Sequence, residues 1–260
     1  MRICLAQLDV SLTEPMAERI GRAAAAVRRC AGADLVVLPE LWAHGAWVPD
    51  RWDLTAEGLD GPVVGAMCAA AQAAGVHLHA GSIVERDGDN LYNTAVLIDP
   101  DGVPVQKYRK IHRFGFDTGE AVTVAPGTEL VLWKLPQATV GIATCYDLRF
   151  PEMFRALLDA GAQMFVVSAS WPARRSEHWR LLARARAVEN LAFVAAVGAC
   201  GTQVGIEQAG GSLVVDPWGE VLAQAGTTET VLDVEIDPAR VDVVRAEFPV
   251  LRDRRLGDAK

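Results

Sequence analysis

"AGADLVVLPE" (residues 31–40) begins with small residues around a glycine, runs through four consecutive aliphatics, and stops at Pro39 and Glu40. A short, uninterrupted apolar run of this kind reads as a strand buried on both faces. The stretch "AGAQMFVV" (160–167) lies over it, again a helix end followed by a strand. "VLIDPDGVP" (96–104) lies over "LVVDPWGEV" (213–221), each a strand, a DPxG turn and another strand. "ICLAQLD" (3–9) can be set over "GIATCYD" (141–147), more loosely. The matched blocks keep their order, so the unit is strand, helix, strand, helix, strand, hairpin, used twice.

Helix crossovers join parallel strands and hairpins join antiparallel ones, so each unit predicts a mixed sheet. Two such sheets packed face to face, with helices outside, would bury every apolar strand. The expected fold is therefore α/β, a four-layer α-β-β-α sandwich of two mixed sheets, internally duplicated. The competing expectation is a three-layer α/β domain in which the similarities are chance. Between the halves there is no Pro- or Ser-rich linker, so residues 1–260 are expected to form a single domain, with 250–260 as a tail.

Around these blocks the pattern predicts helices over 14–31, 61–74, 151–160 and 176–190, and a loop over 111–128. A chain of 260 residues, 51% hydrophobic and 22% charged, can build a substantial core, which excludes disorder. A net charge of −8 argues against nucleic acid or anionic membrane as partner. The opening "MRICLAQLDV" is broken by Gln7 and Asp9 and reads as a first strand rather than a signal peptide. Five scattered cysteines without a CxxC pair suggest neither disulfides nor zinc, and point to a reducing cytoplasm.

In α/β folds reactive groups gather beyond the carboxyl ends of strands. Glu40, Lys110 and Cys145 each end such a strand. After Cys145, Pro151 suits the first turn of a helix, which places the thiol at a sharp turn near a helix amino terminus. That end's partial positive charge favours thiolate, and an exposed thiol there would serve as a nucleophile. His77 and His79 alternate on one strand face, but no third ligand stands at a metal-site spacing, and no histidine is marked as a base. A carboxylate and a lysine remain: Glu40 to take and return a proton, Lys110 to meet negative charge on a carbonyl oxygen.

With "LVVLPE" (35–40), "YRKIH" (108–112) and "GIATCYDLRFPE" (141–152) in this order, the chain resembles the nitrilase superfamily of carbon–nitrogen hydrolases. "SASWP" (168–172), "HWRLLARARAVEN" (178–190) and "DPWGEV" (216–221) are similar too. The resemblance implies a Glu-Lys-Cys triad working through a thioester, with no cofactor and no metal. Carried over by position, Cys145 is the nucleophile, Glu40 the general base then acid, and Lys110 the oxyanion stabiliser with the backbone N–H of Tyr146. "FDTGEAVTVAPG" (116–127) offers Glu120 as the second glutamate that many members carry. Glu189 would be a buried polar residue near the site.

"CYDLRFPE" and "HWRLLARARAVEN" look most like the omega-amidase and deaminated glutathione amidase branches, whose substrates are small carboxylate-bearing amides. N-carbamoyl amine hydrolysis and nitrile hydrolysis are the alternatives, and a catalytically silent binding subunit is the non-enzyme one. A substrate carboxylate would suit a guanidinium fork, for which Arg149, Arg174 and Arg175 are candidates, with Trp171 lining the pocket. Ser176 is expected to cap the helix after it, whose arginines form a solvated or partner-facing stripe. The closing "EFPVLRDRRLGDAK" (247–260) is apolar then basic, and such family tails cross to a neighbouring subunit, implying a homodimer.

Overall fold

The structure is a computed structural model that describes residues 1–256. Its first half runs β1 (Arg2–Gln7), α1 (Met16–Arg29), β2 (Leu35–Val37), a one-turn α2 (Trp52–Thr55), α3 (Pro62–Ala74), β3 (His77–Asp87), β4 (Asn90–Ile98) and β5 (Pro104–Arg109). A short helix, α4 (Glu120–Thr123), stands inside the stretch expected to be a loop. The second half runs β6 (Leu132–Lys134), β7 (Thr139–Thr144), α5 (Pro151–Asp159), β8 (Met164–Ala169), α6 (Ser176–Asn190) and β9 (Phe193–Gly198). A small ribbon, β10 (Thr202–Gln203) and β11 (Ile206–Glu207), precedes β12 (Leu213–Val215) and β13 (Val221–Gln224). β14 (Thr230–Glu235) returns to the first sheet, and α7 (Arg240–Glu247) follows it.

The two six-stranded sheets have the orders β14-β1-β2-β3-β4-β5 and β6-β7-β8-β9-β12-β13. In each, three parallel strands joined by helices are flanked by antiparallel ones, so the halves share one wiring. The repeated turns match in detail. Asp99 Oδ1 accepts the N–H groups of Asp101 and Val103 at 3.0 and 2.8 Å, and Asp216 Oδ1 those of Trp218 and Glu220, both at 2.9 Å. Gly102 and Gly219 close the turns at φ 78° and 82°, a conformation glycine adopts at no steric cost.

Side-chain alternation builds the layers. Ile3, Leu5, Leu35 and Val37 pack with the second sheet in the central core, whereas Cys4, Ala6, Val36 and Leu38 face α1 and α3. Phe154 and Leu157 of α5 and Trp179 and Ala183 of α6 cover the other side of the second sheet. The result is the four-layer sandwich. Among the described residues no helix is long and apolar enough to cross a membrane.

Two local expectations change. A 3-10 turn, Ala173–Arg175, leads into α6, so Ser176 is already helical and its side chain makes no cap. The tail is described only to Leu256, where Arg254 donates to Asp159 of its own α5 at 2.8 Å; residues 257–260, the rest of the expected crossing tail, lie outside the described residues.

Candidate active site

Glu40 lies in the loop after β2, and that loop is wedged against β3. A register irregularity between His79 and Ser82 brings Gly81, at φ 69°, so close that an added Cβ would stand 2.0 Å from the Pro39 carbonyl oxygen. Ser82 Oγ accepts the Leu41 N–H at 3.1 Å, and the Trp42 indole donates to the Ala80 carbonyl at 2.9 Å. Lys110 follows β5, tied to β4 by its N–H to the Asn93 carbonyl at 2.9 Å. Cys145 follows β7 with φ 48°, a left-handed backbone for a non-glycine residue.

The three strand-end residues meet. Lys110 Nζ donates to Glu40 Oε1 and to Glu120 Oε2, each at 2.8 Å. Asn93 Nδ2 bridges the same two carboxylates, at 2.9 Å to Glu40 Oε1 and 2.8 Å to Glu120 Oε1. The second half reaches across: the Ser170 N–H donates to Glu40 Oε2 at 2.9 Å, and its hydroxyl to the Glu40 carbonyl at 2.8 Å. The Phe114 N–H donates to Glu120 Oε2 at 2.8 Å. Against this cluster stands the Cys145 thiol, near enough to Glu40 and Lys110 for each to perturb its proton affinity.

Burial sets the charges. It would raise the Glu40 carboxyl, but the Lys110 ammonium, the Ser170 N–H and the thiol more than offset this and hold it below the ordinary carboxylate range. Glu120 ends above that range, raised by burial and by the Glu40 charge against the pull of Lys110. Burial lowers the Lys110 ammonium, yet two carboxylates carry it well above its usual value. Burial and the Glu40 charge push the Cys145 thiol well up, with Lys110 opposing.

This corrects the expectation of a thiolate exposed at a helix entrance. Cys145 is buried and opens a 3-10 turn, Cys145–Arg149, while α5 starts only at Pro151. A helix amino terminus therefore does not ionise it, and the resting sulfur is a neutral thiol beside an ionised acceptor.

The thiol, Glu40, Lys110 and Glu120 floor a cavity of about 330 Å³. Trp47, Phe114, Tyr146 and Trp171 supply aromatic walls, and Arg149 and Arg175 reach it from the rim. The Arg149 guanidinium stands 4.8 Å from the Trp171 ring centroid, and that of Arg175 lies 5.3 Å from Phe114. Arg174 is turned away toward a separate surface groove with Gly205 and Glu207, so it leaves the candidate set. Glu189 does not line the cavity; it is half-buried and pairs with Arg186 at 2.7 Å. Arg186 itself is buried, which breaks the solvated arginine stripe expected on α6.

Asn93 and Ser170 were missed by the sequence reading. Asn93 carried a signal, a buried amide within the apolar run "YNTAVLID", whereas Ser170 is revealed only by its cross-half bond. The Trp47 indole is fixed from the β10–β11 side by Gln208 Oε1 at 3.2 Å, a wall that local pattern did not mark.

Against known proteins, the carbon-nitrogen hydrolase family model matches residues 2–246. The chain belongs to the carbon–nitrogen hydrolase family. It is 39% identical to the 2-oxoglutaramate amidase of Paenarthrobacter nicotinovorans, over 97% of this chain and 89% of that one. It is 35% identical to the omega-amidase NIT2 of Homo sapiens, over 98% and 95% of the two chains. A CN-hydrolase superfamily protein of Xanthomonas campestris with an arsenic adduct in its active site superposes with a TM-score of 0.92 at 32% identity, covering 100% of this chain and 99% of that one. A mutant of the Nesterenkonia sp. AN1 amidase, with acrylamide added to its active-site cysteine, superposes at 0.84 with 28% identity, over 97% and 99% of the chains.

Proposed function

We propose that the protein hydrolyses the amide of a small carboxylate-bearing compound through a thioester on Cys145, releasing ammonia. The observation that carries this reading is one ammonium held between two buried carboxylates, with a thiol beside them on the same cavity and arginines at its rim. As the sulfur attacks the amide carbon, its proton passes to Glu40, an acceptor kept ionised by Lys110. Negative charge then develops on the carbonyl oxygen, where Lys110 and the Tyr146 N–H meet it; the first N–H groups of a 3-10 turn have no partner within the turn. Glu40 hands the proton to the nitrogen, the C–N bond breaks and ammonia leaves. Glu40 next takes a proton from water as its oxygen attacks the thioester, and the carboxylic acid departs with the thiol restored.

Glu120, through its bond to Lys110 Nζ, holds the ammonium where both steps need it. Arg149 and Arg175 pair with the carboxylate at the far end of the substrate, with Tyr146 and Trp171 as walls. The names of the relatives, 2-oxoglutaramate amidase and omega-amidase, support 2-oxoglutaramate as the first compound to try. The working form in this reading is a homodimer in the cytoplasm, and sedimentation velocity tests the assembly.

Purified protein incubated with 2-oxoglutaramate is expected to release ammonia, and Cys145→Ala is expected to release none above background. Equal release by both proteins would remove the thiol from the mechanism.

A further inference from the structure

Two residues beyond the thiol, Asp147 has no exposed surface and gathers four donors. Its Oδ2 accepts the Thr144 N–H at 2.8 Å and the Tyr108 hydroxyl at 2.6 Å. Its Oδ1 accepts the His112 N–H at 3.0 Å and faces His112 Nδ1 at 2.8 Å. Where Asp147 is the acceptor at this contact, the His112 ring carries a proton on Nδ1. Burial and the Asp147 charge keep the Tyr108 hydroxyl protonated, as a donor must be.

The placement of these donors is the point. Thr144 and Asp147 flank Cys145, and Tyr108 and His112 flank Lys110. One carboxylate thus ties the nucleophile's segment in the second half to the ammonium's segment in the first. The Ile111 N–H donates to the Tyr108 oxygen at 3.2 Å, and the His112 ring stacks on Phe150 at 3.7 Å, closing the junction. From the opposite side Arg186 donates twice to the Leu148 carbonyl, at 3.1 and 2.8 Å. Cys145 sits between these anchors at φ 48°, a conformation that persists only where the surroundings over-determine it. Asp147, Tyr108 and His112 do not line the cavity, so none of them touches substrate there.

We propose that Asp147 is a positioning residue for the reaction. Its carboxylate locks the Lys110 and Cys145 segments together, so that thiol, ammonium and the Tyr146 N–H converge on one carbonyl. This rests on the reading of Cys145 as nucleophile and adds how its geometry is maintained.

Asp147→Asn keeps the size but sets an N–H₂ group against donors. It is expected to lower kcat about 100-fold with KM changed less than about threefold, the loss produced by a misplacement of roughly 1 Å. Tyr108→Phe, which removes one donor and keeps the ring, is expected to lower kcat about tenfold with little change in Tm. Iodoacetamide labelling of Cys145, followed by mass spectrometry, is expected to slow in both variants. If Asp147→Asn does not fold, Tyr108→Phe and His112→Ala carry the test. A carboxylate that only stabilised the fold would lower Tm and leave kcat of the folded protein and the labelling rate at wild-type values, and that result overturns the proposal. If the wild type cleaves no amide, the proposed function fails, while the labelling comparison still decides the role of Asp147.

Discussion

At the carboxyl end of β1 lies Gln7, where the sequence overlay sets Cys145 after β7, and the two halves use the position in opposite ways. The Gln7 amide is fully engaged: its oxygen accepts the Ser212 N–H and hydroxyl at 3.0 and 2.8 Å, and its nitrogen donates to the Gly226 and Thr228 carbonyls at 2.9 and 2.7 Å. Every valence ends on a neutral group of the fold, and nothing is left to react. At Cys145 the neighbours are charges in tension, and the buried Asn93 Oδ1 beside them has no partner among the described residues. Equivalent strand ends therefore hold a strut in one half and, in the proposed function, the nucleophile in the other. The difference is whether buried polar groups are fully satisfied or held in mutual opposition.

The largest effect should separate those two positions. Cys145→Ala is expected to lower kcat for the amide by about 10⁴-fold or more with Tm nearly unchanged, as removal of a nucleophile does elsewhere. Gln7→Leu should do the reverse, leaving several buried groups unpaired, lowering Tm by several degrees and keeping kcat of the folded protein within about twofold. Steady-state kinetics and calorimetry on the pair check both. A Gln7→Leu enzyme that lost its turnover without losing stability would break the contrast.

Acid sensitivity should also be one-sided. On β3, His79 is paired with Val37 of β2, at the register where the second half has Ala195 opposite Val166. Burial pushes the His79 ring down to about 4 from its ordinary 6.5. The Gly81 N–H donates to Nδ1 at 3.2 Å, which leaves the proton on Nε2, without a partner among the described residues. Below pH 6.5 the unfolded chain takes up a proton that the folded one refuses, so stability falls as pH drops from 6.5 toward 4. For a fully buried ring this amounts to the order of 3 kcal/mol at the acid end. His79→Gln is expected to flatten that limb of the denaturant midpoint against pH, though not abolish it, because burial also lowers His44 to about 4. An unchanged slope would move the acid sensitivity elsewhere.

The smallest effect concerns binding. The cavity's two rim arginines both come from the second half, whereas Glu40, Lys110 and Glu120 precede it. Arg175→Met should raise KM for a carboxylate-bearing amide about tenfold and leave kcat within about threefold, because it removes attraction shared by substrate and transition state. Glu120→Gln should depress kcat more than it changes KM. If the two variants behaved alike, the division of labour would fail.

Much of this was legible in the sequence because two simple rules reach far. Alternation and repeated blocks gave both sheets, and the strand-end rule found Glu40, Lys110 and Cys145 one by one. What escaped depends on distance along the chain. Ser170 meets Glu40 across 130 residues, and Asn93 faces it because a register irregularity in β3 sets the approach. Arg174 and Arg175 are adjacent in a 3-10 turn and diverge to different grooves, a choice that no residue pattern encodes. The protonation of Cys145 is set by the same kind of distant contact: the helix end is visible locally, but Glu40, and the Lys110 ammonium that pairs with it, lie outside any local window around the thiol.

Glu120 stands on neither sheet. It rides on the self-braced segment from Arg113 to Val124, whose Phe114, Gly115, Thr118 and Gly119 also form cavity wall. An insertion or deletion there reshapes what can enter and, in the same stroke, shifts a carboxylate that steadies Lys110. Descendants of this enzyme cannot explore new substrates through that segment without wagering turnover, whereas the wall at Trp47 and Pro49, though Trp47 is held by Gln208, contributes no carboxylate to Lys110. Adaptation to new amides should therefore accumulate on the Trp47 side first.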